Sequence, residues 1–332
     1  MRIGINGFGR IGRLALRAGW GRPDLEFVQI NDPGADTTTL AHLLNFDSNL
    51  GRWQQDAQPT EDGIAIDDSR LQCSQNRAVA DTDWSGCDLV IEASGKMRSS
   101  ELLQAYLDQG VKQVVVTAPV KEPGVPNVVV GVNDHIFIPG QHRLVTAASC
   151  TTNCIAPVIK VIHENLGIAR GSFTTIHALT NTQTIIDAPH KDLRRARSCG
   201  NSLIPTTTGS ATAIIEIFPE LEGHLDGHAV RVPIASPSLT DMVFDVTRPT
   251  SVEEVNQLLL AASEGELSGI LGFETRPLVS VDYIGDPRST IVDALSTLVI
   301  DDTQVKLYAW YDNEWGYANR TIDLVTRAVR GG

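Results

Sequence analysis

The first 117 residues alternate short apolar runs with amphipathic stripes, and this alternation restricts the possible folds more than any other feature. Strand-like runs lie at 3–6, 26–31, 88–92 and 113–117, and helical stripes lie between them at 10–20, 37–45 and 101–108. The valines at 114–116 form a continuous apolar run, as in a strand buried on both faces. Strands alternating with helices predict an α/β domain with a doubly wound parallel sheet.

The second half of the chain has a different pattern. A long helical stripe begins at Cys150 and ends near Gly167. Runs with two-residue periodicity follow at 172–177, 229–232, 241–246 and 304–311, and the chain ends in a helical stripe at about 313–327. This pattern predicts an α+β domain with a mixed or antiparallel sheet. Residues 180–207 show little periodicity, and a loop of that length in a compact domain is often functional.

Composition excludes several classes of protein. The 27 basic and 40 acidic residues give a net charge of −13, so we expect no nucleic-acid partner. No run of 18 apolar residues is present, so we expect no membrane span, and the start MRIGING lacks a secretory leader pattern. Five cysteines make no disulfide framework and favour a reducing cytoplasm. No zinc-type spacing on a helix is apparent, so we expect no metal site.

A glycine-rich turn follows the first predicted strand. Gly7 allows a tight turn, Gly9 lets a pyrophosphate approach the backbone, and Gly12 lets the helix pack closely on the strand. Asp32 ends the next strand, 20 residues after Gly12, where a carboxylate can accept from a ribose hydroxyl. The phosphate donors at the helix start would be the backbone N–H groups of Arg10 and Ile11. The pattern predicts a dinucleotide site, the alternative being glycines that only start a helix. The charge of Asp32 favours NAD, without excluding NADP.

A second motif, ASCTTNC at 148–154, lies between an apolar run and the long helical stripe. Cys150 would lie in the first helical turn, where the macrodipole stabilises a thiolate. His177 ends a predicted strand, and a Cys–His pair can serve as nucleophile and base. The alternative is a capped helix whose cysteine is only a small apolar residue. Cys154, one turn further on, is expected to be buried and unreactive.

Basic residues cluster in the weakly periodic region. They are Lys191, Arg194, Arg195 and Arg197, and Arg231 lies in a later predicted strand. The cluster can be a solvated face or a set of guanidinium forks for phosphate groups. The sequence TTTG at 206–209 is also typical of an anion-binding nest at a helix start.

Taken together, these motifs resemble the phosphorylating glyceraldehyde-3-phosphate dehydrogenase family. The matching segments, in chain order, are INGFGRIGR at 5–13, ND at 31–32, ASCTTNC at 148–154, HALT at 177–180, DLRRAR at 192–197, TTTG at 206–209, RVP at 231–233 and WYDNEWGY at 310–317. The resemblance implies a Rossmann NAD-binding domain at 1–149, completed by a C-terminal helix at 314–332, and a catalytic domain with a mixed sheet at 150–313. Residues 180–207 resemble the family's S-loop, which packs against a neighbouring subunit and implies a homotetramer.

The resemblance also implies roles for individual residues. Cys150 matches the nucleophile and His177 its base. The inorganic-phosphate site is matched by Ser149, Thr151, Arg195, Thr208 and Gly209. The site for the substrate's C3 phosphate is matched by Thr180, Thr182 and Arg231. Cofactor contacts are matched by Gly7, Gly9, Arg10, Ile11, Gly12, Asp32, Arg77, Thr117, Asn313 and Tyr317, of which Arg77 is a loose match and Thr117 replaces a usual serine.

The implied reaction is the NAD-dependent oxidation of D-glyceraldehyde 3-phosphate to the acyl phosphate 1,3-bisphosphoglycerate, a glycolytic step, through a Cys150 thioester. The segments TNTQT at 180–184 and SLTD at 238–241 resemble family members encoded beside arsenic-resistance genes. That likeness leaves arsenate as an alternative acceptor, giving 1-arseno-3-phosphoglycerate. Two further alternatives are an erythrose-4-phosphate dehydrogenase and a non-catalytic NAD-binding redox sensor.

Overall fold

The computed structural model describes residues 1–331 of the chain. It divides into two compact units, which are described separately below. Unit 1 comprises Met1–Ser149 and the segment from Ala318 onward, and unit 2 comprises Cys150–Tyr317. None of the helices in the described chain is both long and apolar enough to cross a membrane.

Unit 1 contains a largely parallel sheet. Its strands are β1 Arg2–Asn6, β2 Glu26–Asn31, β5 Ala57–Pro59, β6 Gly63–Ile66, β7 Ser69–Ser74, β8 Leu89–Glu92, β9 Gln113–Val116 and β10 Leu144–Thr146. The strands β3 Phe46–Asp47 and β4 Gly51–Arg52 form a separate two-stranded ribbon. The order in the sheet is β10-β9-β8-β1-β2-β7-β6-β5, parallel from β10 to β7 and antiparallel beyond. Strands β2 and β8 flank β1, so the strand order reverses at β1, the topological position where α/β sheets bind ligands.

Helices cover both faces of this sheet. They are α1 Arg10–Gly19, α2 Thr37–Asn45, α3 Ser100–Asp108 and the C-terminal helix Trp315–Arg330. A Cβ on Gly19 of α1 would lie 2.7 Å from the Phe27 ring and 3.1 Å from Ile322, so α1 and the C-terminal helix meet over β2. A separate core cluster joins Tyr106 of α3 and Trp84 to the valines of β8 and β9. The prediction of a doubly wound α/β sheet is confirmed.

Unit 2 contains a mixed sheet. Its strands are β11 Ile168–His177, β12 Ile204–Thr207, β13 Leu225–Arg231, β14 Ser238–Val246, β15 Leu271–Glu274, β16 Thr290–Asp293, β17 Leu298–Ile300 and β18 Gln304–Tyr311, and its helices are α4 Cys150–Leu166, α5 Ser210–Ile217 and α6 Val252–Glu264. The order is β12-β13-β11-β14-β18-β16-β15, with β17 paired to β18. Pairs β11–β13 and β15–β16 are parallel, and the other pairs are antiparallel, which confirms the predicted mixed sheet.

Several elements differ from the sequence predictions. The final helix begins at Trp315 rather than near 313, because the Asp312 carboxylate accepts the backbone N–H groups of Glu314 and Trp315 and caps the helix there. Strands β3–β7, β12 and β15–β17 were not predicted, since none is longer than six residues and a short run shows too few side chains for a periodic pattern. Helix α6 was also missed, although Ser251 and Glu254 carry a capping signature and the Ser251 hydroxyl accepts from the Glu254 N–H.

Candidate active site

The glycine turn between β1 and α1 is shaped partly by the protein's own packing. Gly7 has a positive φ of +88°, and a Cβ there would lie 2.4 Å from the Ser94 backbone nitrogen. A Cβ on Gly12 would lie 2.1 Å from the Gly7 carbonyl oxygen. A Cβ on Gly9 would have no neighbour within 4 Å. Two glycines are therefore required by internal contacts, whereas the space over Gly9 is open to a ligand.

The start of α1 has the features of an anion site. Gly9 is the N-cap residue, and no side chain caps the helix within the described chain. Arg10 and Ile11 are the first two helical residues, at the end of the helix that carries the positive pole of its dipole. The Arg10 side chain pairs with Asp47. The helix start therefore fits the pyrophosphate of a dinucleotide.

Asp32 lies directly after β2, beside the glycine turn. Its Oδ2 accepts from the Phe8 N–H at 2.7 Å, and its Oδ1 accepts from the Gly34 N–H at 2.8 Å. A carboxylate offers about four acceptor positions, so capacity remains for ribose hydroxyls. The carboxylate is held in place by the turn that it would serve, which fits the ribose of NAD.

Two other predicted cofactor contacts lie in unit 1. Thr117 directly follows β9, and its N–H and hydroxyl both donate to the Glu92 carbonyl oxygen, at 2.9 and 3.2 Å. It is therefore held at the carboxyl ends of β8 and β9. Arg77 is an exposed residue in the bend after β7.

A buried polar network at the ends of β1, β2 and β8 was not predicted. The Glu92 carboxylate, 1% exposed, accepts from Asn6 Nδ2 at 2.7 Å and from the Tyr106 hydroxyl at 2.5 Å. Asn31 Nδ2 donates to Asn6 Oδ1 at 2.8 Å. Burial and the Glu92 charge raise the pKa of Tyr106, so its hydroxyl remains a donor. Polar residues ending otherwise apolar strands were the available signal. The network fixes the strand ends beside the glycine turn.

In unit 2, Cys150 and His177 form a pair. Ala148, just before α4, has φ +55°, a costly conformation for alanine that is often found at functional sites. Helix α4 begins at Cys150, and His177 is the last residue of β11. The Sγ of Cys150 lies 3.6 Å from Nε2 of His177, within hydrogen-bond reach for sulfur. The prediction that Cys150 lies in the first helical turn is confirmed.

The environment of this pair sets its protonation. Burial lowers the pKa of His177 to about 3, and the guanidinium groups of Arg231 and Arg195 act in the same direction. The imidazole is therefore neutral near pH 7, with a hydrogen on one ring nitrogen and a lone pair on the other. Burial raises the pKa of the Cys150 thiol, while Arg231 and the Thr151 hydrogen bond oppose that shift. The net shift is upward, so burial holds the sulfur as a thiol in the free chain, and Arg231 and the helix start reduce the cost of ionising it.

Tyr311, a residue missed by the sequence reasoning, lies behind the pair. Its hydroxyl is 3.0 Å from Thr151 Oγ1 and 2.8 Å from Thr175 Oγ1, and its ring meets the His177 ring edge-on. Burial raises the pKa of Tyr311, so the phenol stays protonated. The Thr151 hydroxyl is thus engaged with Tyr311. The only signal in the sequence was the position of Tyr311 within WYDNEWGY.

The predicted anion residues of the loop after β11 form one hydrogen-bonded chain. Arg195 Nη1 donates to Thr182 Oγ1 at 2.9 Å, and Thr182 Oγ1 lies 2.9 Å from Thr180 Oγ1. Thr180 donates to Gln183 Oε1 from both its N–H and its hydroxyl. Gln183, another residue that was missed, is 9% exposed. The loop therefore orients two threonine hydroxyls beside an arginine.

The remaining basic residues of the cluster point elsewhere. Lys191 and Arg194 are exposed, and Arg197 pairs with Asp187 at 3.0 Å. The Arg195 side chain is only 17% exposed, which separates it from its neighbours. Within the described residues, 180–203 contains no helix or strand, but the loop predicted over 180–207 is wrong at its end, because β12 Ile204–Thr207 pairs with β13.

The other predicted phosphate residues lie at element ends. Thr208 and Gly209 connect β12 to α5, with Gly209 as the N-cap residue, so the predicted helix start after TTTG is confirmed. Thr208 Oγ1 accepts from the Ser210 N–H at 3.2 Å. Ser149 is the half-buried residue immediately before α4.

Asn313 is oriented by a residue that was not predicted. Ala178 N–H donates to Ser238 Oγ at 3.0 Å, and Ser238 Oγ donates to Asn313 Oδ1 at 2.9 Å. The amide oxygen of Asn313 is thus engaged, and its orientation is linked to the residue next to His177. Tyr317 is buried in the C-terminal helix, 5% exposed.

Cys154 provides an internal comparison for Cys150. It is fully buried, with Thr240 and Thr290 beside its sulfur, and burial raises its pKa to about 12. The prediction that Cys154 is buried is confirmed. Within residues 1–331, no three His, Cys, Asp or Glu side chains are arranged to hold a metal ion.

Comparisons with known proteins agree with this geometry. Residues 149–313 match the model of the glyceraldehyde 3-phosphate dehydrogenase C-terminal domain, and residues 1–100 match that of the glyceraldehyde 3-phosphate dehydrogenase NAD binding domain. The chain belongs to the glyceraldehyde 3-phosphate dehydrogenase family. The family resemblance drawn from the motifs is therefore confirmed, as is the predicted pairing of a Rossmann domain with a catalytic domain.

Individual relatives cover nearly the whole chain. Glyceraldehyde-3-phosphate dehydrogenase 3 of a Nostoc species is 59% identical over 332 residues, covering 99% of this chain and 98% of that protein. Glyceraldehyde-3-phosphate dehydrogenase of Geobacillus stearothermophilus is 46% identical, covering 100% and 99%. Glyceraldehyde-3-phosphate dehydrogenase 2 of Streptomyces avermitilis is 45% identical, covering 98% and 97%.

Proposed function

We propose that this protein catalyses the NAD-dependent oxidation of D-glyceraldehyde 3-phosphate to 1,3-bisphosphoglycerate. The observation that carries the proposal is the pairing of Cys150 and His177, with 3.6 Å between Sγ and Nε2, at the start of α4. The named relatives of similar length are all glyceraldehyde-3-phosphate dehydrogenases, which supports this substrate over erythrose 4-phosphate and over a non-catalytic sensor.

The first steps use the Cys–His pair. The Cys150 sulfur attacks the aldehyde carbon, and a carbon–sulfur bond forms while the thiol S–H bond breaks and its proton passes to the carbonyl oxygen, giving a thiohemiacetal. Neutral His177 then accepts the hydroxyl proton at Nε2 as the C1 hydride departs, leaving a thioester on Cys150. NAD, when bound, supplies the hydride acceptor for this step. A thioester suits the next step because it retains the acyl group in an activated form.

Inorganic phosphate then attacks the thioester carbonyl. Arg195 and the Ser149, Thr151, Thr208 and Gly209 positions are proposed to bind this anion, since guanidinium and hydroxyl donors suit phosphate oxygens. Thr180, Thr182 and Arg231 are proposed to bind the C3 phosphate of the substrate. The carbon–sulfur bond breaks, the acyl phosphate leaves, the Cys150 sulfur takes the proton of the attacking phosphate hydroxyl, and the proton held on His177 passes to solvent.

The residues of unit 1 fit NAD. The open space over Gly9 and the uncapped start of α1 suit a pyrophosphate, and Asp32 retains acceptor capacity for ribose hydroxyls. The negative charge of Asp32 would repel a 2′-phosphate, so we propose NAD as the preferred cofactor, with NADP as the comparison. The other proposed cofactor residues are Arg77 and Thr117 in unit 1 and Asn313 and Tyr317 in unit 2.

The direct test is the initial rate of NADH formation from D-glyceraldehyde 3-phosphate and NAD, with phosphate or arsenate as the only acceptor. We expect turnover with phosphate. A rate that requires arsenate, or is far faster with it, would instead favour the arsenate-resistance role and 1-arseno-3-phosphoglycerate. Erythrose 4-phosphate in a parallel reaction tests the remaining enzyme alternative, and a faster rate with it would overturn the proposed substrate.

The chain offers a matched pair of variants for this assay. Cys150→Ser should abolish NADH formation while NAD binding persists. Cys154→Ser, one helical turn further on in the buried core, should retain turnover because its sulfur lies outside the reacting pair. Equal losses in both variants would contradict the assignment of Cys150 as nucleophile.

We also propose that the enzyme is a homotetramer in the cytoplasm. Four large apolar side chains in the loop at 180–207 are each at least 68% exposed, namely Ile185, Ile186, Leu193 and Leu203. Exposed apolar groups in such density favour contact with a second copy of the chain. Light scattering should give a tetramer mass, and Leu193→Asp should lower it, whereas Leu102→Asp, also at an exposed leucine, should not. The cysteines are all free thiols, which suits a reducing compartment.

A further inference from the structure

The guanidinium of Arg231 does not have a full set of hydrogen-bond partners. Its Nε is buried and has no hydrogen-bond partner. Burial lowers the pKa of Arg231, and the groups that oppose this shift are Cys150 and Tyr311 rather than any carboxylate of the described chain. A partly buried guanidinium without a carboxylate partner is costly unless an anion completes its contacts. An anionic ligand bound to the Arg231 guanidinium would therefore be stabilising.

Arg231 also contacts the catalytic base. Its Nη1 lies 2.6 Å from His177 Nδ1 and 3.2 Å from the Ala178 carbonyl oxygen. The same Nδ1 lies 2.6 Å from that carbonyl oxygen. In a neutral imidazole, Nδ1 carries either a hydrogen or a lone pair. It can thus donate to Ala178 or accept from Arg231, but it cannot do both at once.

These two bonds place the imidazole hydrogen on different nitrogens. When Arg231 donates to Nδ1, the hydrogen is on Nε2, which faces the Cys150 sulfur. The Ala178 carbonyl then accepts from Arg231 instead. When Nδ1 donates to Ala178, the lone pair is on Nε2, and only this form can accept a proton from the thiohemiacetal hydroxyl. The imidazole carries one N–H hydrogen in both forms. In passing from one form to the other, it loses a hydrogen to solvent at one ring nitrogen and takes one from solvent at the other.

We infer that Arg231 is a positioning residue through which the phosphate of the substrate sets the tautomer of His177. In the free enzyme, Arg231 donates to Nδ1 and holds His177 in the form that cannot act as base. When the C3 phosphate binds, it draws the guanidinium away from His177. Nδ1 then donates to the Ala178 carbonyl oxygen, and the lone pair on Nε2 can accept a proton from the substrate. This inference rests on the proposed function. It predicts that the phosphate group of the aldehyde increases the rate of acylation of Cys150 as well as the affinity for the substrate.

The kinetic test uses a substrate without the phosphate. D-glyceraldehyde and NAD are mixed with enzyme, with and without sulfate, and the first-turnover burst of NADH is measured in the absence of an acyl acceptor. A wrong tautomer of a catalytic histidine can cost ~10⁴-fold in rate, so we expect sulfate to accelerate the wild-type burst by at least about tenfold. Arg231→Gln should show no acceleration. Arg197→Lys, a control in the neighbouring loop, should behave as wild type.

A spectroscopic test separates tautomer control from simple anion binding. Histidine is labelled with ¹⁵N, and the His177 signals are identified by their loss in His177→Gln. In the wild type, sulfate should move the hydrogen of His177 from Nε2 to Nδ1. In Arg231→Gln, the hydrogen should be on Nδ1 without sulfate. A wild-type Nδ1 that is protonated without sulfate and unchanged by it would overturn the inference.

Failure of this inference can be distinguished from failure of the proposed function. The same wild-type preparation is assayed with D-glyceraldehyde 3-phosphate, NAD and phosphate. Turnover there, with no change of tautomer on adding sulfate, would reject the switch and retain the dehydrogenase. Absence of turnover would reject the proposed function, whereas the ¹⁵N measurement requires no activity and would still report on the Arg231–His177 contact.

Discussion

Alanine substitutions at Gly12 and Gly9 should have different effects. The first should affect the stability of the fold, and the second should affect NAD binding. A Cβ on Gly12 would lie 2.1 Å from a backbone oxygen, more than 1 Å short of ordinary contact, and backbone cannot move aside as a side chain can. Overpacking of this kind costs ~1–3 kcal/mol, and the better helix propensity of alanine returns about 1 kcal/mol. We therefore expect Gly12→Ala to lower the free energy of unfolding by up to about 2 kcal/mol, near the upper end because the obstructing atom is backbone.

Gly9→Ala should behave in the opposite way. The added methyl group meets nothing within 4 Å, and φ −71° is ordinary for alanine, so the loss of stability should stay below about 1 kcal/mol. Because the methyl group would occupy the approach of the pyrophosphate, NAD affinity should fall about 10–100-fold, equivalent to about 1.4–2.8 kcal/mol.

Both variants can be compared by urea denaturation at one protein concentration, followed by circular dichroism, and by calorimetric titration with NAD. Wild-type affinity for NAD in folded Gly9→Ala would refute the placement of the pyrophosphate over this residue. Equal destabilisation by the two substitutions would refute the packing argument.

Three further predictions concern unit 2. Tyr311→Phe leaves the hydroxyls of Thr151 and Thr175 without a buried partner and should lower the free energy of unfolding by about 1–3 kcal/mol in urea denaturation; an unchanged value would contradict the hydrogen-bond assignment. The pKa of His177 is about 3 when folded and near 6.5 when unfolded, so its neutral form contributes stability that is lost as pH falls below 6.5. The fall in unfolding free energy from pH 7 to pH 5 should therefore be about 2 kcal/mol smaller in His177→Asn, and an equal fall in both proteins would show that His177 is not buried as a neutral group. Arg231→Gln removes a cation that lowers the pKa of Cys150, so alkylation of this thiol by iodoacetamide at pH 7 should slow several-fold, and an unchanged rate would contradict that electrostatic effect.

The parts of the fold that the sequence predicts are those with a strong local signal. Strand β2 and helix α2 have the bounds expected from periodicity, because each is regular and ends at polar residues. Strands β5–β7 and β15–β17 escaped prediction because pairing with neighbours, rather than an internal pattern, makes them strands. Such pairing involves residues distant in the chain, which a local pattern does not contain.

The same distinction applies to the candidate site. Cys150 and His177 were predicted because each belongs to a motif at the end of an element. Tyr311 and Ser238 were not, since their roles come from hydrogen bonds to residues 60 to 160 positions away. The contact of Arg231 with His177, across 54 positions, likewise follows from the pairing of β11 with β13.

The central claim of this account is that Cys150 carries the acyl group. Enzyme mixed with D-glyceraldehyde 3-phosphate and NAD, without phosphate or arsenate, is quenched with acid after the first turnover, digested and analysed by mass spectrometry. We expect one equivalent of NADH and a phosphoglyceroyl group on Cys150, absent from Cys154 and released when phosphate is added before the quench. NADH formed without an adduct on Cys150, or an adduct on another residue, would contradict it.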